Sequence, residues 1–176
     1  MSAAKNVLYC ARQWIGYSRW DDPEPGTVFG RWYAELVGDS YFGESGIPYC
    51  AMFVSYCLNW AGIEAAGLPG AYVPWILSAN SDAGRLVANE DARPGDLVMF
   101  DWQGDGVADH IGIVEENHAD EGWMQTIEGM RKLPEPKMRR QTSGAAMPMM
   151  ALACCFSFSH WLRKMTTNMA VMTKST

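Results

Sequence analysis

Cys50 directly follows Pro48 and Tyr49 and opens the run "CAMFVSYCLNWAG". Apolar residues then recur at Phe53, Val54, Cys57, Leu58, Trp60 and Ala61, the spacing of a helix, and Gly62 is a stop signal. The spacing therefore puts Cys50 in the first turn of a helix. Unpaired N–H groups and the helix dipole favour thiolate over thiol there, and the same N–H groups can donate to a tetrahedral oxyanion. A cysteine nucleophile also needs a base, and the chain has three histidines, His110, His118 and His160. His110 opens "HIGIVEE", which reads as a strand with Gly112 and Val114 on the histidine's face and Ile111 and Ile113 on the other. A strand start beside a Gly/Asp loop lies at a sheet rim, where reactive groups are commonly presented. Glu128, at the end of "QTIEG" on the next strand, is placed to orient the imidazole. Cys10 and Cys57 read as small buried hydrophobes, and His118 and His160 as surface groups.

The elements that must position these residues fall into two blocks. Residues 2 to 15 carry Val7, Leu8, Ala11, Trp14 and Ile15 at helical spacing, stopped by Gly16. "RWYAELVG" and "WILSANSDAG" read as short helices either side of the Cys50 helix, with Pro/Gly-rich loops between. From the turn Arg93-Pro94-Gly95-Asp96 onward the pattern becomes strands: Leu97 to Trp102, "HIGIVEE" and "WMQTIEG", an antiparallel meander. Helices first and strands after predict an α+β fold.

The length predicts one domain with a real core. A net charge of -6 without a Lys/Arg-rich stripe argues against nucleic acid as a partner, and there is no Gly-rich phosphate loop. Five cysteines are an odd number. Cys50 and Cys57 lie roughly 10 Å apart along one helix, beyond the ~7 Å Cα limit for a disulfide, and read as free thiols. The opening "MSAAKNVLYCARQW" has no basic segment leading into a long apolar one, so synthesis in the cytoplasm without a signal peptide is expected.

At Gly129 the composition breaks. Residues 1 to 129 carry 19 of the 20 acidic residues against 6 Lys/Arg, a charge of -13; residues 130 to 176 carry one acid against 8 Lys/Arg, or +7, with 8 of the 12 methionines. The chain therefore reads as one domain over 1–129, which holds the candidate Cys50, His110 and Glu128, and a basic, Met-rich tail over 130–176. A one-base slip of the reading frame accounts for the change, because GAT followed by G reads as ATG one base late. A flexible cationic tail that binds wall or membrane surface is a second account. A membrane anchor at "GAAMPMMALACCFSF" is a third, although 15 residues fall short of the ~20 that span a bilayer.

"PYCAMFVSYCLNWAG", "RPGDLVMFDWQGDGVADHIGIVEE" and "TIEG", in that order, resemble the CHAP family of cysteine amidohydrolases and peptidases, which cut bacterial peptidoglycan and are common in phage endolysins. The resemblance runs from near the N-terminus to about Gly129. It implies a papain-like fold, with the cysteine helix packed on an antiparallel sheet. It further implies Cys50 as nucleophile, His110 as base and Glu128 as orienting acid, with no cofactor required. Many members have Asn two residues after that Glu, where this chain has Met130. The departure puts in question whether the Met-rich segment supplies the strands with which that family's sheet continues. A phage lysin is the expected setting, with a holin or similar route to the wall. The rival expectation is a catalytically impaired module of the same fold that binds cell wall or a partner; an amidase acting on another amide uses the same motifs.

Two further sets of residues are candidates. Asp101, Gln103 and Asp105, in "DWQGDGVADH", match the start of a calcium loop, but Gly112 stands where the closing Glu belongs. The plainer reading is a hairpin loop whose Asp and Gly residues serve the turn. Tyr49, Trp75 and Trp102 are candidates for substrate contact in a glycan or stem-peptide groove, with core packing as the alternative.

Overall fold

The computed structural model describes residues 2–129 and the strand backbone of 139–144 and 149–152. Four helices precede most of the sheet: α1 (Ala3–Gln13), α2 (Val28–Val37), α3 (Cys50–Trp60) and α4 (Val73–Asp82). The strands are β1 (Leu86–Val87), β2 (Leu97–Phe100), β3 (His110–His118), β4 (Trp123–Glu128), β5 (Arg139–Gly144) and β6 (Met149–Leu152). They form one sheet in the order β1-β6-β2-β3-β4-β5, with every pairing antiparallel. The fold is α+β, as the sequence pattern predicts.

Local chemistry explains most of the boundaries. Ser2 caps α1 by accepting from the Lys5 N–H, and the Thr27 hydroxyl caps α2 by accepting from the Gly30 N–H at 3.0 Å. Gly38 ends α2 at φ 72°, a conformation that disfavours any side chain. α4 starts two residues earlier than the apolar spacing suggests because Pro74 occupies its first turn, where a missing N–H costs nothing. In the turn before β2, Asp96 accepts from the Arg93 N–H at 2.8 Å.

The three-stranded meander is the centre of a wider sheet. β1 has two residues, too few for a period-2 signal, and is missed by pattern reading. β5 and β6 come from beyond Gly129: β5 pairs with β4, and β6 lies between β1 and β2. Met130, Cys154, Cys155 and His160 lie outside the described residues, as does most of the stretch considered as an anchor. No helix among the described residues is long and apolar enough to cross a membrane.

The sheet buries both faces. Leu97, Met99, Ile111, Ile113 and Ile127 face the helices, in one core with Val7 and Ala11 of α1 and Phe53, Val54 and Leu58 of α3. Val98, Phe100, Val114 and Met124 form a smaller cluster on the other face with Ala92. α3 is buried along nearly its whole length, which suits its continuous apolar sequence.

The start of α3 is fixed by aromatic packing. Phe29 of α2 stacks on Tyr49 with centroids 5.7 Å apart and meets Phe53 edge-on at 5.2 Å and Trp14 at 4.9 Å. Phe29, Tyr49 and Phe53 are fully buried. Truncating the shared ring removes all three contacts and leaves a cavity. Phe29→Ala is expected to lower stability by about 3–5 kcal/mol, measured by urea unfolding followed through tryptophan fluorescence.

Candidate active site

Cys50 is the first residue of α3, and the capping residue Tyr49 offers its N-terminus no side-chain acceptor. The first-turn N–H groups therefore keep their donor capacity for a thiolate or an oxyanion. Glycine also brings the helix close to the sheet. A Cβ on Gly129 would stand 2.8 Å from Phe53 Cβ, so only glycine lets the end of β4 lie against α3.

His110 starts β3 opposite Phe100, and Glu128 ends β4 opposite Gly112. Period-2 alternation puts Glu128 on the same face as His110, two residues from Gly112. The carboxylate Oε2 lies 3.0 Å from His110 Nε2, and both side chains are nearly sealed from solvent. The Cys50 sulfur is close enough to the same imidazole to raise its pKa. Because Nε2 faces Glu128, Nδ1 is the ring nitrogen left for the sulfur. The structure thus brings together all three residues that the sequence singled out for nucleophilic chemistry.

The electrostatics favour an imidazolium. Burial by itself lowers the His110 pKa, but the hydrogen bonds and charges of Cys50 and Glu128 outweigh it and raise it to about 9. An imidazolium between a sulfur and a carboxylate is a proton donor held where a leaving amine would depart.

Two supporting residues escaped the sequence reading. The Thr126 hydroxyl donates to Glu128 Oε1 at 2.5 Å, so each carboxylate oxygen has a partner. Gly112 makes room for this carboxylate: a Cβ there would come within 2.7 Å of Glu128 Cγ. For Gly112 the signal was available only as a pairing, for Thr126 as strand alternation. Thr126 lies two residues before Glu128 on its face, and Gly112 faces Glu128 only when β3 and β4 are in this register.

Cys50 opens onto a groove of about 950 Å³, with Tyr33, Phe42, Tyr72, Trp75 and Asp109 among its walls. Tyr72 and Trp75 are two-thirds exposed and give it an aromatic rim. Ser55 of α3 holds one wall, its hydroxyl donating to the Gly70 carbonyl at 2.8 Å and accepting from the Gly70 N–H at 2.9 Å. Of the candidate substrate contacts, Trp75 lines the groove. Trp102 stacks over the His110 ring, with centroids 5.0 Å apart and planes at 23°. Tyr49 corrects its expectation: it is fully buried in the Phe29 cluster, because the chain must turn its ring inward to start α3.

The loop that was a candidate calcium site is organised from within. Asp101 Oδ1 accepts from the Gly104 and Asp105 N–H groups at 2.7 and 3.3 Å, and Oδ2 from Gly106 at 2.8 Å. Desolvation raises the Asp101 pKa, but these backbone donors outweigh it and hold the carboxylate below its usual range. Asp105 accepts from the Val107 N–H, and Gln103 is exposed. Among the described residues no cluster of three or more His, Cys, Asp or Glu side chains is arranged to hold a metal ion.

Residues 41–130, just over half of the chain, match the family described as CHAP domain. The chain belongs to the CHAP family. Members of this family are generally cysteine-dependent hydrolases of peptidoglycan, and Cys50, His110 and Glu128 all fall within the matched range. Comparison with curated proteins and with solved structures gave no match. In this CHAP domain α1 and α2 lie before the matched range, yet α2 supplies the ring that seats the start of α3.

Two outcomes are expected from this geometry. Gly112→Ala displaces the Glu128 carboxylate and lowers kcat roughly 100-fold while circular dichroism shows the fold retained. Glu128→Gln removes a partner of the imidazolium and lowers the His110 pKa from about 9. Titration of His110 by NMR should then occur nearer the ordinary value of about 6.5. The sign for stability follows: the imidazolium's contribution is fully present below about pH 6.5 and is lost as pH rises through about 9.

Proposed function

We propose that this chain is a peptidoglycan hydrolase that cleaves an amide bond through Cys50. The observation that carries the reading is the sealed Cys50, His110 and Glu128 relay at the floor of an aromatic-rimmed groove. Either the amide between muramic acid and L-alanine or a peptide bond of the stem or cross-bridge suits the groove. A lysin carried by a phage, made in the host cytoplasm and delivered by a holin, is the setting proposed for it.

The thiolate of Cys50 attacks the scissile carbonyl carbon, and the carbonyl π electrons move to oxygen. First-turn N–H groups of α3, that of Cys50 among them, donate to this oxyanion. As the tetrahedral adduct collapses, the C–N bond breaks and His110 gives its proton to the departing amine. Neutral His110 then takes a proton from water, which attacks the thioester and releases the acid and the Cys50 thiolate. Glu128, anchored by Thr126, holds the ring in place through both proton transfers and favours its cationic form.

The experiment is turbidity loss of purified sacculi with the full chain and with Cys50→Ala, followed by mass analysis of released fragments. Clearing by the wild type and none by the variant is expected, and the new termini name the bond. A folded wild-type chain that leaves sacculi intact overturns the enzyme reading in favour of a wall-binding module. The requirement for imidazolium as acid places the alkaline limb of the activity profile near pH 9, read from initial clearing rates.

A further inference from the structure

Glu128 and Cys50 address the edge of the His110 ring, and neither fixes its plane. Nε2, 3.0 Å from Glu128 Oε2, sits near the axis about which the imidazole turns on its Cβ–Cγ bond. Nδ1, the nitrogen left for the Cys50 sulfur, lies farther from that axis and swings most when the ring turns. The Glu128 contact therefore holds the rotation loosely, and this torsion of a histidine has only a broad preference of its own. A further group is needed to hold the plane if Nδ1 is to stay on the sulfur.

Trp102 lies against that plane. Its indole is stacked on the imidazole with centroids 5.0 Å apart and planes at 23°, so turning the imidazole drives a ring edge into the indole. Phe100, opposite His110 in the β2 and β3 register, stands 5.7 Å from the imidazole and 6.5 Å from the indole, centroid to centroid. Backbone bonds seat the indole. The Trp102 N–H donates to Asp109 Oδ2 at 2.8 Å, and the Asp109 N–H donates to the Phe100 carbonyl at 2.7 Å. The residue just before His110 thus clasps both ends of the segment that carries the aromatic rings. The titratable groups facing the imidazole are Cys50 from α3 and Glu128 from β4. Trp102 adds an uncharged face whose quadrupole attracts a cation, most strongly where water is excluded, and His110 is nearly sealed.

We propose that Trp102 is a positioning residue, which sets the plane of the His110 ring, keeps Nδ1 on the Cys50 sulfur and favours the imidazolium. The inference deepens the hydrolase reading and rests on it only for the role of His110 as acid. It gives Trp102 a different task from Trp75: Trp75 meets the groove, whereas Trp102 meets the imidazole. An indole that is partly exposed on its outer side and stacked on its inner side also keeps bulk water off the ring face. The proton held for the departing amine is thereby aimed in two ways, along the ring edge by Glu128 and across the ring face by Trp102.

The test uses the full chain as wild type, Trp102→Leu and Trp102→Phe, each shown to be folded by circular dichroism. Leucine and phenylalanine both cover the imidazole with apolar atoms, but only phenylalanine presents an aromatic face. His110 is titrated by NMR, and kcat and KM are taken from initial clearing rates of sacculi. In Trp102→Leu the His110 pKa should fall by roughly 0.5–1 pH unit and kcat roughly 10-fold, with KM within about twofold. Trp102→Phe should recover most of both losses. An unchanged His110 pKa in Trp102→Leu overturns the proposal, as does a loss that Trp102→Phe fails to recover, which marks packing alone. A higher KM at unchanged kcat also overturns it, in favour of a substrate contact. The titration needs no hydrolysis, so a wild-type chain that leaves sacculi intact sinks the hydrolase reading while the His110 pKa still decides what Trp102 does to the ring.

Discussion

A cation in an almost sealed pocket is the constraint on which this structure turns. His110 is 2 % exposed, and a charge there is tolerated only where opposite charge and hydrogen bonds surround it. Cys50 and Glu128 supply them, from the start of a helix and the end of a strand that are far apart in sequence. Each needs its own support. Cys50 depends on the Phe29 and Tyr49 stack to fix the helix start, and Glu128 depends on Thr126 and on the space left by Gly112. The helical layer and the sheet are therefore joined at the site by a polar contact as well as by packing.

The groove follows from the same junction. Its floor is the first residue of α3, and one wall is the segment before α4, tied back to α3 through Ser55 and Gly70. Cys50 and Ser55 are thus set by one rigid element, so a molecule held against that wall is held in register with the Cys50 sulfur. The loop between β2 and β3 adds Val107 and Asp109 to the lining, and it is shaped by the backbone donors gathered around Asp101.

What the sequence disclosed depended on how local the signal was. Cys50 was legible because a helix start, an apolar period and a preceding proline fall within a few residues. His110 and Glu128 were legible as strand ends, and β2, β3 and β4 as apolar runs between polar turns. Gly112 was not, because its role exists only across the β3 and β4 register, whereas Thr126 acts within β4 and is recognised as a partner only once Glu128 is seen to need a second one. Tyr49 was misplaced for a related reason: neighbours of a nucleophile line its groove only if their side chains point outward, and here the ring is needed inside. β5 and β6 lacked a helpful pattern, since polar "RRQTSG" and Met-rich "MPMMAL" hide strand alternation.

The position of β6 has a consequence for how the chain becomes a folded protein during synthesis. β2 is buried along its whole length, yet its partner on one side, β6, is made about fifty residues after it. β3 and β4 can close behind β2 as the ribosome extends the chain, but the remaining edge of β2 keeps unpaired backbone groups beside an apolar strand until residues 149–152 arrive. The candidate site is fully synthesised by Glu128, whereas the sheet that carries it is not. Birth of the site and closure of its scaffold are separate events along the nascent chain.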